Sequence, residues 1–487
     1  MTAVAPGFLD RSHFSPSARY RLLPFRFGRF DDRRDIVTND VGEYVLLSHE
    51  ELTSFVDRAL PVTSRAYHDL KARHFLFDDD SECALDLLAL KVRTRAERIA
   101  SFTALHIFVL TLRCDHSCHY CQVSRRTQDT AAFDMTREQA LRAVDFVFRS
   151  PARHVKIEFQ GGEPLLRFDL VRYVVACAEA RNAIERRDLR FVIATNLARL
   201  TDEMLAFCKE HDIHLSTSLD GPAALHDAHR PLRGGSSHAA TVDGIRRARE
   251  ALGAESVGAL MTTTPESLAR VEEIVDEYVR LGFRSVFLRS LSPYGFAVKT
   301  SLVRRYGEGD WLDFYRRGLA YVLDVNRRGY ALREEYTAIV LQKLFSPRGT
   351  GYVDLQSPAG IGIGAIVFNY DGAVYASDEG RMLAEMGDTS FRLGHLETDS
   401  YEAIMTSEAL LRPLEETMLE GAPMCSDCPF LPYCGADPVF HRATVGEPVG
   451  HKAFSAFCKK QMGVVRHVIA LLEDDPAARR TLLGWVE

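Results

Sequence analysis

Ten cysteines are present, and their distribution carries chemistry. Cys114, Cys118 and Cys121 follow the spacing C-x3-C-x2-C; Cys425, Cys428 and Cys434 form a second group, with Cys458 further on. Groups this tight in a long chain favour metal ligation over disulfides. Three thiolates on one short loop can hold three irons of a [4Fe–4S] cube and leave the fourth open to a non-protein ligand. A structural zinc ion would need a fourth ligand, for which His116 and His119 are the local candidates. Tyr120, just before the last cysteine, can cover the adenine of a nucleotide bound at the open iron, or simply pack the loop. Cys83, Cys177 and Cys208 stand alone, and the last two read as inert core thiols in apolar helical segments.

These groups sit in an ordinary globular composition. The 487 residues are 46% hydrophobic and 26% charged, which excludes a disordered, collagen-like or coiled-coil chain. At roughly 150 residues each, about two to four domains are expected. The net charge of −7 offers no basic field for nucleic acid, so Arg125-Arg126, Arg186-Arg187 and Arg246-Arg247 read as solvated faces. No apolar run approaches the ~20 residues of a membrane helix, and the opening residues lack a charged-then-apolar signal pattern. A cytoplasmic protein with neither nucleic-acid nor membrane partner is therefore expected.

Three regions must position the cysteines. Between Tyr20 and Phe77, DIVTND and EYVLLS read as strands around a turn at Val41-Gly42, followed by helices, with a capping box at Ser48 and Glu51. This suggests a small winged-helix-like module with an exposed strand edge, or a plain N-terminal cap; the acidic run Asp78-Asp79-Asp80 leads out of it. From Leu105, six strand–helix units follow in succession. Such alternation argues for an α/β fold with a parallel sheet, an open six-unit portion of a (β/α) barrel whose chemistry sits at the strands' C-terminal ends. After about Leu344 the alternation stops. A hairpin around Tyr370-Asp371-Gly372, a helix, the second cysteine group and a final helix from about Lys459 complete the chain. The expected domains are 1–98, 99–345 and 346–487.

The first loop, C-x3-C-x2-C after the first strand of such a barrel, resembles the signature of the radical S-adenosylmethionine (SAM) enzymes. The later motifs arrive in family order: Gln160-Gly161-Gly162-Glu163-Pro164 after the second strand, Thr195-Asn196 after the third, Ser218-Leu219-Asp220-Gly221-Pro222 after the fourth, then Arg230. The resemblance implies a partial (β/α)6 radical SAM barrel with a [4Fe–4S] cluster on Cys114, Cys118 and Cys121. It places SAM against Tyr120, Gln160, Gly161, Gly162, Glu163, Asn196, Ser218 and Arg230. Glu163 would meet the methionine ammonium, Ser218 the ribose, and Arg230 the carboxylate. The implied activity is reductive cleavage of SAM to a 5′-deoxyadenosyl radical that abstracts hydrogen from a substrate, fed by an external electron donor.

The C-terminal group resembles the SPASM domain of peptide-modifying relatives, which normally holds two auxiliary [4Fe–4S] clusters. Here the cysteines of the first are missing: Ala376-Ser377 replaces a Pro-Cys pair, SPAGIGIG carries none, and Pro438 stands where another would be. The pattern implies one auxiliary [4Fe–4S] cluster on Cys425, Cys428, Cys434 and Cys458, or a zinc ion on the same thiolates. By analogy with sulfatase-maturating relatives, Asp378 is a candidate catalytic proton acceptor, with a structural carboxylate as the alternative. The N-terminal run from Leu22 to Phe27, Asn39-Asp40-x-Gly42-Glu43-Tyr44, and the stretch Cys434-Gly435-Ala436-Asp437-Pro438 resemble the His-Xaa-Ser system radical SAM maturases. That implies a ribosomally made precursor peptide as substrate, an intrapeptide crosslink as product, and a possible second radical SAM protein as partner. The N-terminal module would take a leader peptide as an added strand. Oxidation of a protein Ser or Cys, as in sulfatase maturation, and a non-catalytic precursor-binding role are the alternatives.

Overall fold

The computed structural model describes residues 20–79, 83–126 and 128–486. The opening residues read for a signal, and Asp80, lie outside the described residues. The N-terminal module contains β1 (Tyr20–Leu22), β2 (Arg26–Arg29), β3 (Arg34–Thr38), β4 (Tyr44–Ser48) and β5 (Leu76–Asp78). Strands β2, β3 and β4 form an antiparallel sheet, and β1 pairs with β5. The capping box forms as expected: Ser48 Oγ accepts from the Glu51 N–H at 3.2 Å, and Glu51 Oε2 accepts from the Ser48 N–H at 2.8 Å. It starts the helix His49–Val56. The short, arginine-flanked β2 has no apolar alternation to announce it.

Adjacent residues of a strand face opposite sides, and β3 uses both. Val37 packs with Phe55 and Tyr67 inside the module, whereas Ile36 joins Phe30 in the main core of the molecule. Arg34 bonds both carboxylate oxygens of Asp474, and Arg466 Nη1 donates to the Phe30 carbonyl at 2.8 Å. The module is thus built into the body of the protein.

The main sheet starts with β6 (Leu105–Thr111), β7 (His154–Gly161), β8 (Asp188–Thr195), β9 (Ile213–Ser218) and β10 (Val257–Leu260), parallel and neighbouring in sequence order. Helices Arg137–Val147, Phe168–Glu185, Asp202–Glu210, Ser237–Leu252 and Val271–Arg280 follow the respective strands. Phe108, Ile157, Phe159 and Ile193 pack against Val144, Val171 and Val174 of these helices in the main core, while Ile107 and Val109 fill a second apolar cluster.

The sixth unit differs from expectation. Of RSVFLRSL, only β11 (Ser285–Val286) is a strand, and it pairs with β12 (Arg333–Glu334) rather than with β10. A side chain takes the place of a neighbouring strand: the buried Glu334 carboxylate accepts from the Leu288 N–H at 3.2 Å. A single backbone bond, Thr263 N–H to Arg289 O at 2.9 Å, links the segment back to the continuation of β10. On the other side of the sheet, β13 (Ala365–Phe368) lies parallel to β6, followed by antiparallel β14 (Ala373–Tyr375) and β15 (Arg392–His395). The result is an eight-stranded mixed sheet, into which the hairpin expected for a separate C-terminal domain is hydrogen-bonded.

Three smaller readings are also revised. The helix expected over 401–419 is two, Tyr401–Met405 and Glu408–Glu416. The last long helix, Ala456–Asp474, starts early enough to place Cys458 in its first turn, where Ser455 Oγ accepts from the Cys458 N–H. Each arginine pair sends one member inward: Arg187 to the Phe148 and Ala152 carbonyls, Arg247 to the Leu200 carbonyl, and Arg125 over the Phe296 ring. Among the described residues no helix is long and apolar enough to cross a membrane.

Candidate functional site: a thiol loop at the strand ends

Cys114, Cys118 and Cys121 leave the C-terminal end of β6, and the turn after β7 is pressed against that same strand end. The Gly162 N–H donates to Thr111 O at 2.7 Å and the Glu163 N–H to Arg113 O at 2.8 Å. A Cβ on Gly161 would lie 2.1 Å from Thr111 O, and one on Gly162 2.1 Å from Arg113 O. Backbone cannot yield as a flexible side chain can, so both glycines are required for this approach. Gly161 also has a φ of +143°.

Glu163 is fully buried. Its carboxylate accepts from Leu165 N–H at 3.0 Å, Thr195 Oγ1–H at 2.7 Å and Asn196 N–H at 2.9 Å. Burial pushes its pKa up to about 7 despite those three donors. It ties the ends of β7 and β8 together, and its Oε2, which takes a single donor, keeps a lone pair for an ammonium. Gln160 donates to Glu158 at 2.7 Å.

The loop is held at both ends by one polar network. Asp115 accepts from Asn196 Nδ2 at 2.8 Å and from Arg199 Nε at 2.9 Å, and meets His116 Nδ1 at 3.0 Å. Burial raises its pKa, but these partners outweigh it and hold it at about 2. His116 Nε2 meets Ser237 Oγ at 2.8 Å, and the same hydroxyl meets His226 Nε2 at 3.0 Å. His226 Nδ1 accepts from the Asp220 N–H. Asp220, fully buried, accepts from Tyr120 O–H at 2.5 Å, Arg230 Nε at 2.9 Å and Thr262 N–H at 3.2 Å. Burial alone would raise its pKa; Arg230 and the histidines turn the shift downward. Arg230 lies 5.2 Å over the Tyr120 ring. Its Nε is committed to Asp220, which orients the rest of the fork. Ser218 ends β9 beside this group. His226 belongs to the run His226-Asp227-x-x-Arg230, whereas Ser237 has no distinguishing spacing in the chain and only the fold reveals its part.

The donor sets fit the groups that the sequence implied. Burial raises the pKa of Cys114 and, against the pull of Arg230, that of Cys118 to about 11, and each feels a companion thiol. The four C-terminal thiols converge likewise: burial raises Cys434 to about 12 and Cys458 to about 11, with Cys428 adding to both and Cys425 to Cys458. Thiols crowded this way call for a shared cationic centre to become thiolates. Among the described residues, the one three-donor group whose atoms all lie within 4.8 Å is Cys114, Asp115 and His116. Both His116 nitrogens are already bonded. Neither cysteine set closes to that spacing, whereas four thiolates about 2.3 Å from one zinc ion would. Lone Cys208 is buried and Cys177 half-buried against the core.

Asp378 begins the helix Asp378–Ala384 and accepts from Arg381 Nε at 3.0 Å. Arg381 is buried and its Nη1 donates to Val123 O at 3.3 Å, two residues past the last cysteine of the loop.

The family model for the Radical SAM superfamily matches residues 108–286. The chain is 28% identical over 228 residues to a serine-type anaerobic sulfatase-maturating enzyme of Klebsiella aerogenes, covering 44% of this chain and 55% of that one. It spans 55% to 65% of the length of the first curated relatives it matches. Two solved structures share its fold. Native anSMEcpe with bound AdoMet has a TM-score of 0.63 at 14% identity, covering 79% of this chain and 100% of that one. Streptococcus suis SuiB bound to precursor peptide SuiA has a TM-score of 0.53 at 15% identity, covering 91% and 99%. The thiol loop and its bracing strand ends, Thr111 to Arg230, fall inside the matched span, and residues 108–286 are a radical SAM domain.

Proposed function

We propose that this protein is a radical SAM peptide maturase acting on a ribosomally made precursor. The observation that carries the reading is the position of three thiols at the end of β6, braced by the Gly161-Gly162 turn and by the network from Asp115 to Asp220. When bound, a [4Fe–4S] cluster and SAM together supply a 5′-deoxyadenosyl radical able to take hydrogen from an unactivated C–H bond. Cys114, Cys118 and Cys121 hold the cluster. Arg230, steered by Asp220, takes the methionine carboxylate; Ser218 takes the ribose; Tyr120 packs beside the base. Glu163, held in place by the Asn196 N–H, takes the methionine ammonium, as the family motif implies. Cys425, Cys428, Cys434 and Cys458 hold one auxiliary [4Fe–4S] cluster.

For the substrate, we infer a precursor carrying His-Xaa-Ser repeats, crosslinked within itself, with its leader added to an edge of the β2–β3–β4 sheet. Peptide-bound SuiB supports a peptide substrate. A second reading, oxidation of Ser or Cys in a protein, draws equal support from the sulfatase-maturating relative.

Two measurements decide. Reconstituted, dithionite-reduced protein should form 5′-deoxyadenosine; no formation rejects the radical reading. Mass spectrometry of a co-expressed precursor should show the loss of two hydrogens with a fragmentation gap at the crosslink. Turnover of a sulfatase peptide with an unchanged precursor selects the second reading. Since Phe30 and Ile36 belong to the main core, leader docking is tested by photo-crosslinking rather than by deleting the module. Labels should fall within residues 26–48, and labels elsewhere reject the edge-strand site.

A further inference from the structure

A cavity of about 310 Å³ opens between the detached sixth strand and the C-terminal segment. We propose that it is the pocket for a positively charged side chain of the peptide substrate, an inference that rests on the peptide-maturase reading above.

Beside Glu308, which Lys459 meets, three carboxylates line it: Asp354, Glu379 and Asp437. They come from three places: three residues before SPAGIGIG, two residues after Ser377, and the position before Pro438. Those are the stretches in which the SPASM resemblance expects the cysteines of a first auxiliary cluster. Here they surround a space that is acidic instead of thiol-lined.

The cavity brings like charges together. Arg289 and Lys460 are the cations on its wall, and Lys460 lies over the Trp311 and Phe457 rings. Glu308, also on the wall, is met by Lys459 at 3.5 Å. Asp354, Glu379 and Asp437 crowd one another more than these two cations offset. Burial and then Asp354 push Glu379 up to about 8, and the same causes push Asp437 to about 7. An incoming cation would relieve this repulsion. Metal ligation does not fit, because among the described residues these carboxylates do not gather at metal-ligand spacing.

Two polar atoms on the wall point to the rest of the ligand. Tyr294 Oη and Trp311 Nε1 are buried and have no hydrogen-bond partner in the protein. An indole N–H can only donate, so it needs an acceptor such as a peptide carbonyl. A cation attached to a peptide bond satisfies both the carboxylates and the indole, and the aromatic wall favours the cation further. The location fits as well. Leu291 and Val303 line the cavity and also pack with Tyr120 of the thiol loop. The Phe296 N–H donates to Cys121 O at 2.8 Å. One wall of the cavity thus packs against the thiol loop, so a peptide anchored here is held close to that loop.

The test is calorimetric titration of the full-length, reconstituted protein with N-acetyl-arginine amide and with the neutral N-acetyl-citrulline amide. Saturable binding of the arginine compound alone is expected. Glu379→Gln should weaken it about ten- to hundredfold, the range of a hydrogen bond to a charged group. Arg289→Gln, which removes a competing cation, should tighten it. Equal affinity for both compounds, no saturation, or weakening by both variants overturns the proposal. SAM is not needed for this titration. Failure of the maturase reading would therefore appear as missing 5′-deoxyadenosine, separately from the affinities.

Discussion

The Tyr120 hydroxyl donates to the Asp220 carboxylate at 2.5 Å, joining the thiol loop to the end of β9 across 100 residues of chain. Asp220 also holds Arg230, so one buried carboxylate positions the aromatic and the cationic residue assigned to SAM. Asp220→Asn leaves the Arg230 guanidinium without its counter-charge, a change that costs about 3–5 kcal/mol at buried pairs. The variant should melt earlier and bind SAM more weakly while keeping its first cluster. Wild-type SAM affinity in the variant would disconnect Asp220 from the site.

The two cysteine sets should separate by experiment. Cys114→Ala should abolish 5′-deoxyadenosine formation and remove about four irons per chain. Cys458→Ala should also remove about four, yet leave SAM cleavage measurable. Zinc in place of the roughly four irons expected to remain in the Cys114→Ala protein would identify the C-terminal set as a zinc site.

Gly162→Ala forces a methyl group to 2.1 Å from Arg113 O, against backbone that carries the thiol loop. Overpacking typically costs about 1–3 kcal/mol, and here no side chain can move aside. Reconstituted Gly162→Ala protein should hold less iron and lose SAM cleavage. Full iron content with a wild-type melting temperature would show that the approach is dispensable.

Glu163 supplies a pH dependence. Its pKa is raised from the usual 4.5 to about 7 in the folded protein, so folding favours the protonated form. The associated stability is fully present below about pH 4.5 and is lost as pH rises toward 7, on the order of 3 kcal/mol in all. Glu163→Gln removes this dependence. Urea unfolding of the apoprotein at pH 5 and pH 7.5 should therefore show wild type losing ground to the variant as pH rises. Parallel curves would mean that Glu163 stays ionised throughout.

Asp378 is held by the buried Arg381, which also reaches the carbonyl of Val123 beside the thiol loop. If Asp378 accepts a substrate proton, Asp378→Asn should stop peptide product while 5′-deoxyadenosine continues to form. Product at the wild-type rate would leave the carboxylate a purely structural role.

Much of this organisation was legible in the chain. The C-x3-C-x2-C loop, the Gly-Gly-Glu turn and the five strand–helix units depend on local spacing and periodicity, which a linear sequence displays directly. The hidden features depend on partners distant in the chain. The apolar run of β13 shows that a strand is buried but not that it will lie beside β6. Likewise, RSVFLRSL has the composition of a sixth barrel strand, and only the Glu334 side chain bonded to Leu288 shows why it leaves the sheet. Glu163 reads in sequence as a free carboxylate, but the three donors that bond it lie on the following segment and the next strand end. Asp354, Glu379 and Asp437, unremarkable one at a time, become an acidic cavity because the fold brings three separate segments together.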